Sequence, residues 1–289
     1  MQLGGTADRA VDYILQRLGE NPTVEEVASH CHFSKFHFSR LFKAETGESP
    51  YAFIRRLRLE ESAFRLKVEP KRAVTDIGWE CGYSSSNYSW AFRRQFGVNP
   101  TAFRRSAREA SFRHPFCHLP EERAGALLTG GLTVRVMPDF FVVYDRHIGD
   151  YHALGQLWKE FLWTYRFWRR ADARFLLRSF TDPVIANPTA CIYDMCMTVP
   201  GDCPLPNTAQ IPGGPYLVCP FRGPTWNIFA AYQAIFNLWL PRSGIRMDSQ
   251  YSYDLYHRLG GGPEDVEMDI CLALGRDALA QKEHEFRGT

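Results

Sequence analysis

The chain has 289 residues, 45% hydrophobic and 23% charged, with a net charge of +2, a size long for one core and comfortable for two domains. No run approaches the ~20 apolar residues of a membrane span, and the N-terminus lacks a signal-peptide core, so the expectation is a soluble, cytoplasmic protein without a membrane partner. Eight cysteines with no CxxC pair and no Cys/His ligand spacing argue against a structural zinc site or a disulfide framework, and Cys31 and Cys81 read as buried thiols of a reducing compartment.

Charge is unevenly spread. Residues 1–112 carry 17 Lys/Arg against 13 Asp/Glu, whereas residues 113–289 carry 17 against 19. The arginines of the first half are clustered (Arg55, Arg56, Arg58, Arg93, Arg94, Arg104, Arg105), which points mildly to nucleic acid through counterion release. A solvated helix face would look the same.

The strongest signal is an internal repeat. Residues 31–50 (CHFSKFHFSRLFKAETGESP) match residues 81–100 (CGYSSSNYSWAFRRQFGVNP) at an offset of 50, pairing Cys31 with Cys81, Ser34 with Ser84, Phe42 with Phe92, Gly47 with Gly97 and Pro50 with Pro100. A repeat of this period is a duplicated supersecondary unit. Each copy reads as helix, turn, helix. Thr23 caps a short helix carrying Val24, Val27 and Ala28, and Ser34 caps a second helix whose Phe38, Leu41 and Phe42 form one apolar stripe ending at Gly47. The second copy repeats this with Val74 and Ile77, the cap Ser84, the stripe Tyr88/Ala91/Phe92, and Gly97. Residues 49–69, unbroken after Pro50, suit a connecting helix. With those stripes inward, Lys35, Phe36, Ser39, Arg40 and Lys43 face out in copy one, and Ser85, Ser86, Ser89, Trp90 and Arg93 in copy two. Such faces suit a major groove, where Arg forks onto guanine and small or aromatic groups touch thymine methyls. A duplicated helical pair used for protein contact stays open on the repeat alone.

Beyond a stretch at 111–130 that reads as linker with at most one strand, the pattern turns to alternating strands: 132–136, 140–144, 191–199, 251–256 and 266–274, with a helix from His152 to about Phe167. A second duplication, at an offset of 74, aligns 136–161 with 210–236, pairing Pro138 with Pro212, Gly149 with Gly223, and Trp158 with Tyr232. Two strand–Gly-turn–helix halves about a pseudo-two-fold axis would form an antiparallel sheet with helices and a groove between them.

Two resemblances sharpen this. Residues from about 10 to 106 resemble the DNA-binding unit of AraC/XylS-type transcription regulators, the MarA, SoxS and Rob group in particular. The residues TVEEVASHCHFSKFHFSRLFKAETGESP, RLRLEESAFRL and GVNPTAFR carry the likeness. It implies two recognition helices in successive major-groove segments, about 34 Å apart, with double-stranded DNA as partner and RNA polymerase contacted downstream. Arg40 matches a common base-contacting arginine. Phe36 stands where relatives have Trp, and Trp90 where they often carry Arg. Residues 131–275 resemble GyrI-like effector-binding domains through RHIGDYHALGQLW, CIYDMC, IPGGPYLV, NLWLPRSG and YSYDLY. That implies an aromatic-lined site for a hydrophobic or cationic effector, as in multidrug response, with Asp254 at a position often held by Glu. Tyr151, Trp158, Trp226, Trp239 and Tyr256 are the aromatic candidates around it.

The expected architecture is multidomain: an all-α double helix-turn-helix domain at 1–110, a linker at 111–130, an α+β GyrI-like domain at 131–277, and a tail at 278–289. The expected function is a sequence-specific regulator modulated by a small ligand. The alternatives are a C-terminal domain used for protein contact, or a GyrI-like hydrolase assembled from Asp254, Tyr193 and Asp194. GxSxG, P-loop and HExxH signatures are absent, so the reading is not an enzyme, and no metal or cofactor is implied.

Overall fold

The fifty-residue repeat folds as two copies of one helical hairpin joined by a long helix. The computed structural model describes residues 5–245, 247, 252–258 and 265–275; the expected tail at 278–289 lies outside the described residues. The chain divides into two compact units. The first takes in Met1–Ala110, Arg146–Gly149 and Thr181–Ile192, and the second holds the remainder.

In the first unit, α1 (Gly5–Gln16) buries Ala7, Ala10, Val11 and Ile14 on one face. Helix α2 (Val24–His30) opens with a reciprocal cap: the Glu26 amide donates to Thr23 Oγ1 at 3.2 Å, and the Thr23 amide donates to the Glu26 carboxylate at 2.7 Å. A cap of this kind is worth about 1 kcal/mol. Helix α3 (Lys35–Thr46) starts at Ser34, whose hydroxyl accepts from the His37 amide, and stops at Gly47 in the left-handed conformation. Helix α4 (Pro50–Val68) connects the copies, starting at the cap Ser49 with Pro50 in its first turn. The second copy is α5 (Val74–Glu80) and α6 (Ser85–Phe96), followed by α7 (Pro100–Phe112). Its caps are weaker than the sequence suggests. Ser84 holds the N-cap position of α6 but makes no side-chain cap bond, and Ala73 stands where Thr23 stands in copy one.

The stripes read from the sequence face inward, with Leu41 only partly buried. Phe38 packs on Phe42 and Phe42 on Phe53, and Tyr88 and Phe92 pack with Leu59, Leu66, Ile77 and Phe103. Cys31 and Cys81 are buried, and burial pushes the Cys81 thiol up to about 12, which keeps it unreactive.

The second unit is built on an eight-stranded sheet of β1 (Thr133–Met137), β2 (Phe140–Ile148), β3 (Phe175–Ser179), β4 (Ile192–Thr198), β5 (Thr208–Ile211), β6 (Gly214–Gly223), β7 (Tyr253–Arg258) and β8 (Val266–Ala273). Every pairing with a described register is antiparallel. The order is β1-β6-β8-β7-β3-β4-β2-β5. Exchanging the first four strands for the last four in chain order reverses that list onto itself, so the sheet carries the two-fold of the duplication. The edge strands are swapped between halves: β1 pairs with β6, and β5 with β2. The offset of 74 persists residue by residue. Gly149 and Gly223 have φ of 157° and 153°. Each leads through a 3₁₀ turn (Tyr151–Ala153, Thr225–Asn227) into a helix, α9 (Leu154–Thr164) or α10 (Ile228–Ala234). A π-helical stretch, Ile235–Trp239, runs on from α10 into α11 (Leu240–Ser243).

Where the sequence suggested irregular chain with at most one strand, residues Glu121–Ala126 form α8. Its Ala124 is buried against Ala230 and Ala234, side chains small enough for two helices to approach closely. The cue is tertiary: six residues hold too little periodicity to announce a helix.

Candidate functional site

The outward faces of α3 and α6 are what remains once the aromatic stripes are buried. Phe36 is 84% exposed and Trp90 61%, and Arg40, Lys43, Ser85, Ser86, Ser89 and Arg93 are exposed as well. Leaving a Phe and a Trp this exposed has no folding benefit. Ser39 turns its hydroxyl back to the Lys35 carbonyl at 2.8 Å, and Lys35 is tied to Glu25. Trp90 carries the Arg94 guanidinium 5.2 Å over its ring.

The charges sort by face. On α4, Arg56 is held by Glu48 at 2.6 Å and Glu60 at 3.2 Å, and Arg65 by Glu61 and Glu80, both at 2.7 Å. Among the described residues, no carboxylate pairs with Arg40, Lys43, Arg93 or Arg94. Uncompensated cations therefore gather on the two helix faces, while Arg56 and Arg65 of α4 are neutralised, an electrostatic layout suited to a polyanion.

In the second unit, β7 places Asp254 and Tyr256 on the same side of the strand, two residues apart. Asp254 is 2% exposed and accepts a 2.6 Å hydrogen bond from the Tyr232 hydroxyl on α10. Burial pushes its carboxyl up to about 7, and the Tyr232 hydrogen bond opposes that shift only in part. Burial, and then the charge of Asp254, drive the Tyr232 hydroxyl well above its ordinary value. Trp158 on α9 meets Tyr256 edge-on at 5.7 Å and also packs on Phe161 and Phe175. Tyr151 stacks on Tyr193 at 4.9 Å, and Tyr193 donates to the Asp150 carbonyl at 3.2 Å. Trp158, Tyr256, Asp254 and Tyr232 are thus linked in turn into one cluster.

Asp254 differs from Asp194 and Asp269, two other buried carboxylates of its unit. Asp194 has Arg178 at 3.4 Å, and Asp269 has His257 at 3.2 Å and Arg135 at 3.6 Å. No cation pairs with Asp254 among the described residues. A buried carboxylate without a counter-charge is unfavourable for folding; among aromatic rings it suits a cation from outside.

Of the aromatic candidates, Tyr256 shares the strand of Asp254 and Trp158 packs on Tyr256, while Tyr151 stacks on Tyr193. Trp226 is 45% exposed on its 3₁₀ turn and makes no ring contact with the cluster among the described residues. Trp239 closes the π-helical stretch. Tyr232, which holds the carboxylate, was visible in the sequence only as the counterpart of Trp158 under the second duplication.

Comparison with known proteins matches two separate stretches of the chain. Residues 27–106 match the family of helix-turn-helix domains, and residues 132–274 match the GyrI-like small molecule binding domain. The C-terminal domain of AraT, a response regulator from Geobacillus stearothermophilus, is 29% identical; the match covers 36% of this chain and 87% of that one, with a TM-score of 0.34. The DNA-binding domain of AdpA, solved in complex with a target DNA, is 26% identical over 38% of this chain and 100% of that one, with a TM-score of 0.35. The structure of SAV2435 bound to tetraphenylphosphonium is 9% identical over 53% of this chain and 98% of that one, with a TM-score of 0.40. The chain carries an AraC-type helix-turn-helix domain followed by a C-terminal GyrI-like domain, and is a DNA-binding regulator with a ligand domain.

Proposed function

We propose that this protein is a sequence-specific transcription regulator whose activity is set by a hydrophobic organic cation bound at Asp254. The observation that carries the reading is the buried, uncompensated carboxylate. Ionising it in place costs roughly three pKa units, or on the order of 4 kcal/mol, and a cation seated among Trp158, Tyr232 and Tyr256 offsets that cost by charge pairing and cation–π attraction. In the first unit, Arg40 reads a base edge from α3, and α6 presents Ser85, Ser86, Ser89, Trp90 and Arg93 to the next major-groove segment. A ligand alters DNA affinity only by the difference in its own affinity for the DNA-competent and incompetent states.

The test is intrinsic tryptophan fluorescence of the full chain titrated with tetraphenylphosphonium and with tetraphenylborate, ions of one shape and opposite charge. Saturable quenching by the cation alone, lost in Asp254→Asn, is the expected result; equal response to both ions removes Asp254 as anchor. A protein-contact role, with RNA polymerase as the partner, draws support from one further observation. Trp163 and Phe167 are 70% and 83% exposed, with Arg166 stacked 4.2 and 4.3 Å from their ring centres, and exposed aromatics beside Arg are the residues that dominate protein interfaces.

A further inference from the structure

Helix α4 has two arginine populations. Arg56 and Arg65 are neutralised by glutamates, whereas Arg55 and Arg58, three residues apart on another face, have no carboxylate partner among the described residues. Both line a cavity of about 610 Å³ in the first unit, together with Lys35 and Ser39 of α3, Tyr51 at the start of α4, and Gly82 in the turn of the second copy.

The cavity is built around Arg58. Its Nε donates to the Cys81 carbonyl at 2.7 Å, and its guanidinium lies 4.6 Å over the Tyr83 ring. Gly82 makes the room, since a Cβ there would overlap Arg58 Nη2 and Asn21 Oδ1. Folding thus fixes this guanidinium without giving it a counter-charge. The one carboxylate lining the cavity, Glu25, is already engaged by Lys35. Lining charges therefore cancel except for the two arginines, and the cavity holds a net positive charge with planar, forked donors suited to an oxyanion.

We infer that this cavity is a phosphate seat, receiving the phosphodiester backbone of duplex DNA beside the groove segment occupied by α3. The choice of DNA over a small phosphate rests on the wall: Lys35 and Ser39 belong both to the cavity and to the recognition helix, so its occupant lies alongside the bound duplex. Arg55 is the contacting group and Arg58, held by Cys81 and Tyr83, the positioned second donor. This rests on the DNA-binding reading given above and adds residues whose task is register and affinity, without base preference.

The experiment measures Arg55→Gln in the full chain for binding to a mixed-sequence duplex and to a duplex obtained by in vitro selection, across a salt series. One lost phosphate contact lowers the salt slope by about 0.9, which at 0.1 M salt is roughly an eightfold loss of affinity relative to a 1 M reference. The loss is expected on both duplexes, with base preference unchanged and with Arg55→Lys retaining the wild-type slope. Neutral methylphosphonate linkages placed one at a time between the two recognition segments should weaken the wild type at one or two positions and leave Arg55→Gln indifferent there. An unchanged slope, or a methylphosphonate cost equal in both proteins, overturns the seat. Stronger competition by inorganic phosphate for the wild type than for the variant, with no methylphosphonate effect, overturns the duplex as occupant. Failure of the wild type to bind either duplex refutes the DNA-binding reading instead, so the two failures are told apart.

Discussion

The hydroxyl of Tyr232 donates a 2.6 Å hydrogen bond to Asp254, and no cation stands on the other side of that carboxylate among the described residues. A carboxyl raised to about 7 is largely protonated at pH 6 and largely ionised at pH 8. A cationic ligand binds the ionised form, so it must displace a proton at low pH. Affinity for tetraphenylphosphonium should fall about tenfold per pH unit below pH 7 and level off above it. In Asp254→Asn the profile should be flat and the affinity low throughout; a titration that keeps its pH dependence in that variant assigns the effect to another group.

The same shift has a consequence for the unliganded fold. An acid whose folded pKa lies above its ordinary value near ~3.9 binds its proton more tightly in the native state than in the unfolded one. Its contribution favours folding at low pH and is lost as pH rises through the window from about 4 to about 7. Asp254→Asn should therefore be more stable than wild type above pH 7 and lose that advantage toward pH 4, read as the difference between two urea unfolding curves at each pH. A difference constant across that range contradicts the raised carboxyl.

Tyr232→Phe separates the hydrogen bond from the charge. That bond lowers the Asp254 pKa against the larger effect of burial, so removing it should move the midpoint of the affinity–pH profile upward. The maximal affinity at high pH should change less, because the carboxylate is still present. A midpoint moving downward contradicts the donor role of the hydroxyl.

Much of this was legible in the chain, for identifiable reasons. Duplication leaves paired residues at fixed spacing, so the hairpins of Cys31–Pro50 and Cys81–Pro100 and the Gly149/Gly223 turns stood out without any structure. Caps such as Thr23 and Ser34 depend on side chains within three residues, which is the range that sequence reading covers. What stayed hidden is non-local. The exchange of β1 and β5 between halves depends on partners roughly seventy to eighty residues away, and neither the neutralisation of Arg56 nor its absence at Arg55 follows from composition. Asp254 was singled out by family position, but its lack of a counter-charge is a property of the folded packing.

The two recognition helices should not be equal readers. Arg40→Ala removes an exposed, uncompensated forked donor, and the expected loss is about 1–3 kcal/mol of specific binding with relaxed preference at one base pair. Trp90 offers a single indole N–H donor and an apolar ring where Arg40 offers a fork of donors, and Arg94 already covers one face of that ring. Trp90→Ala should weaken binding by less than Arg40→Ala and relax base preference less. Selection of binding sites from a randomised duplex pool by each variant distinguishes the two, and equal relaxation in both would place base reading equally on α3 and α6.

The turns of the two copies solve one backbone problem differently. His32 and Gly82, at matching positions, have φ of 62° and 76°. Left-handed backbone costs a non-glycine residue about 1–2 kcal/mol, so His32→Gly should raise stability by up to about 1 kcal/mol once the glycine's extra unfolded freedom is subtracted. Gly82→Ala should lower it by about 1–2 kcal/mol and, because the new methyl collides with the ends of Arg58 and Asn21, should also weaken DNA binding. Thermal unfolding followed by circular dichroism gives the first quantity and DNA titration the second. A Gly82→Ala protein that loses stability but keeps wild-type DNA affinity would show that Arg58 regains its place, and that the glycine serves the turn alone.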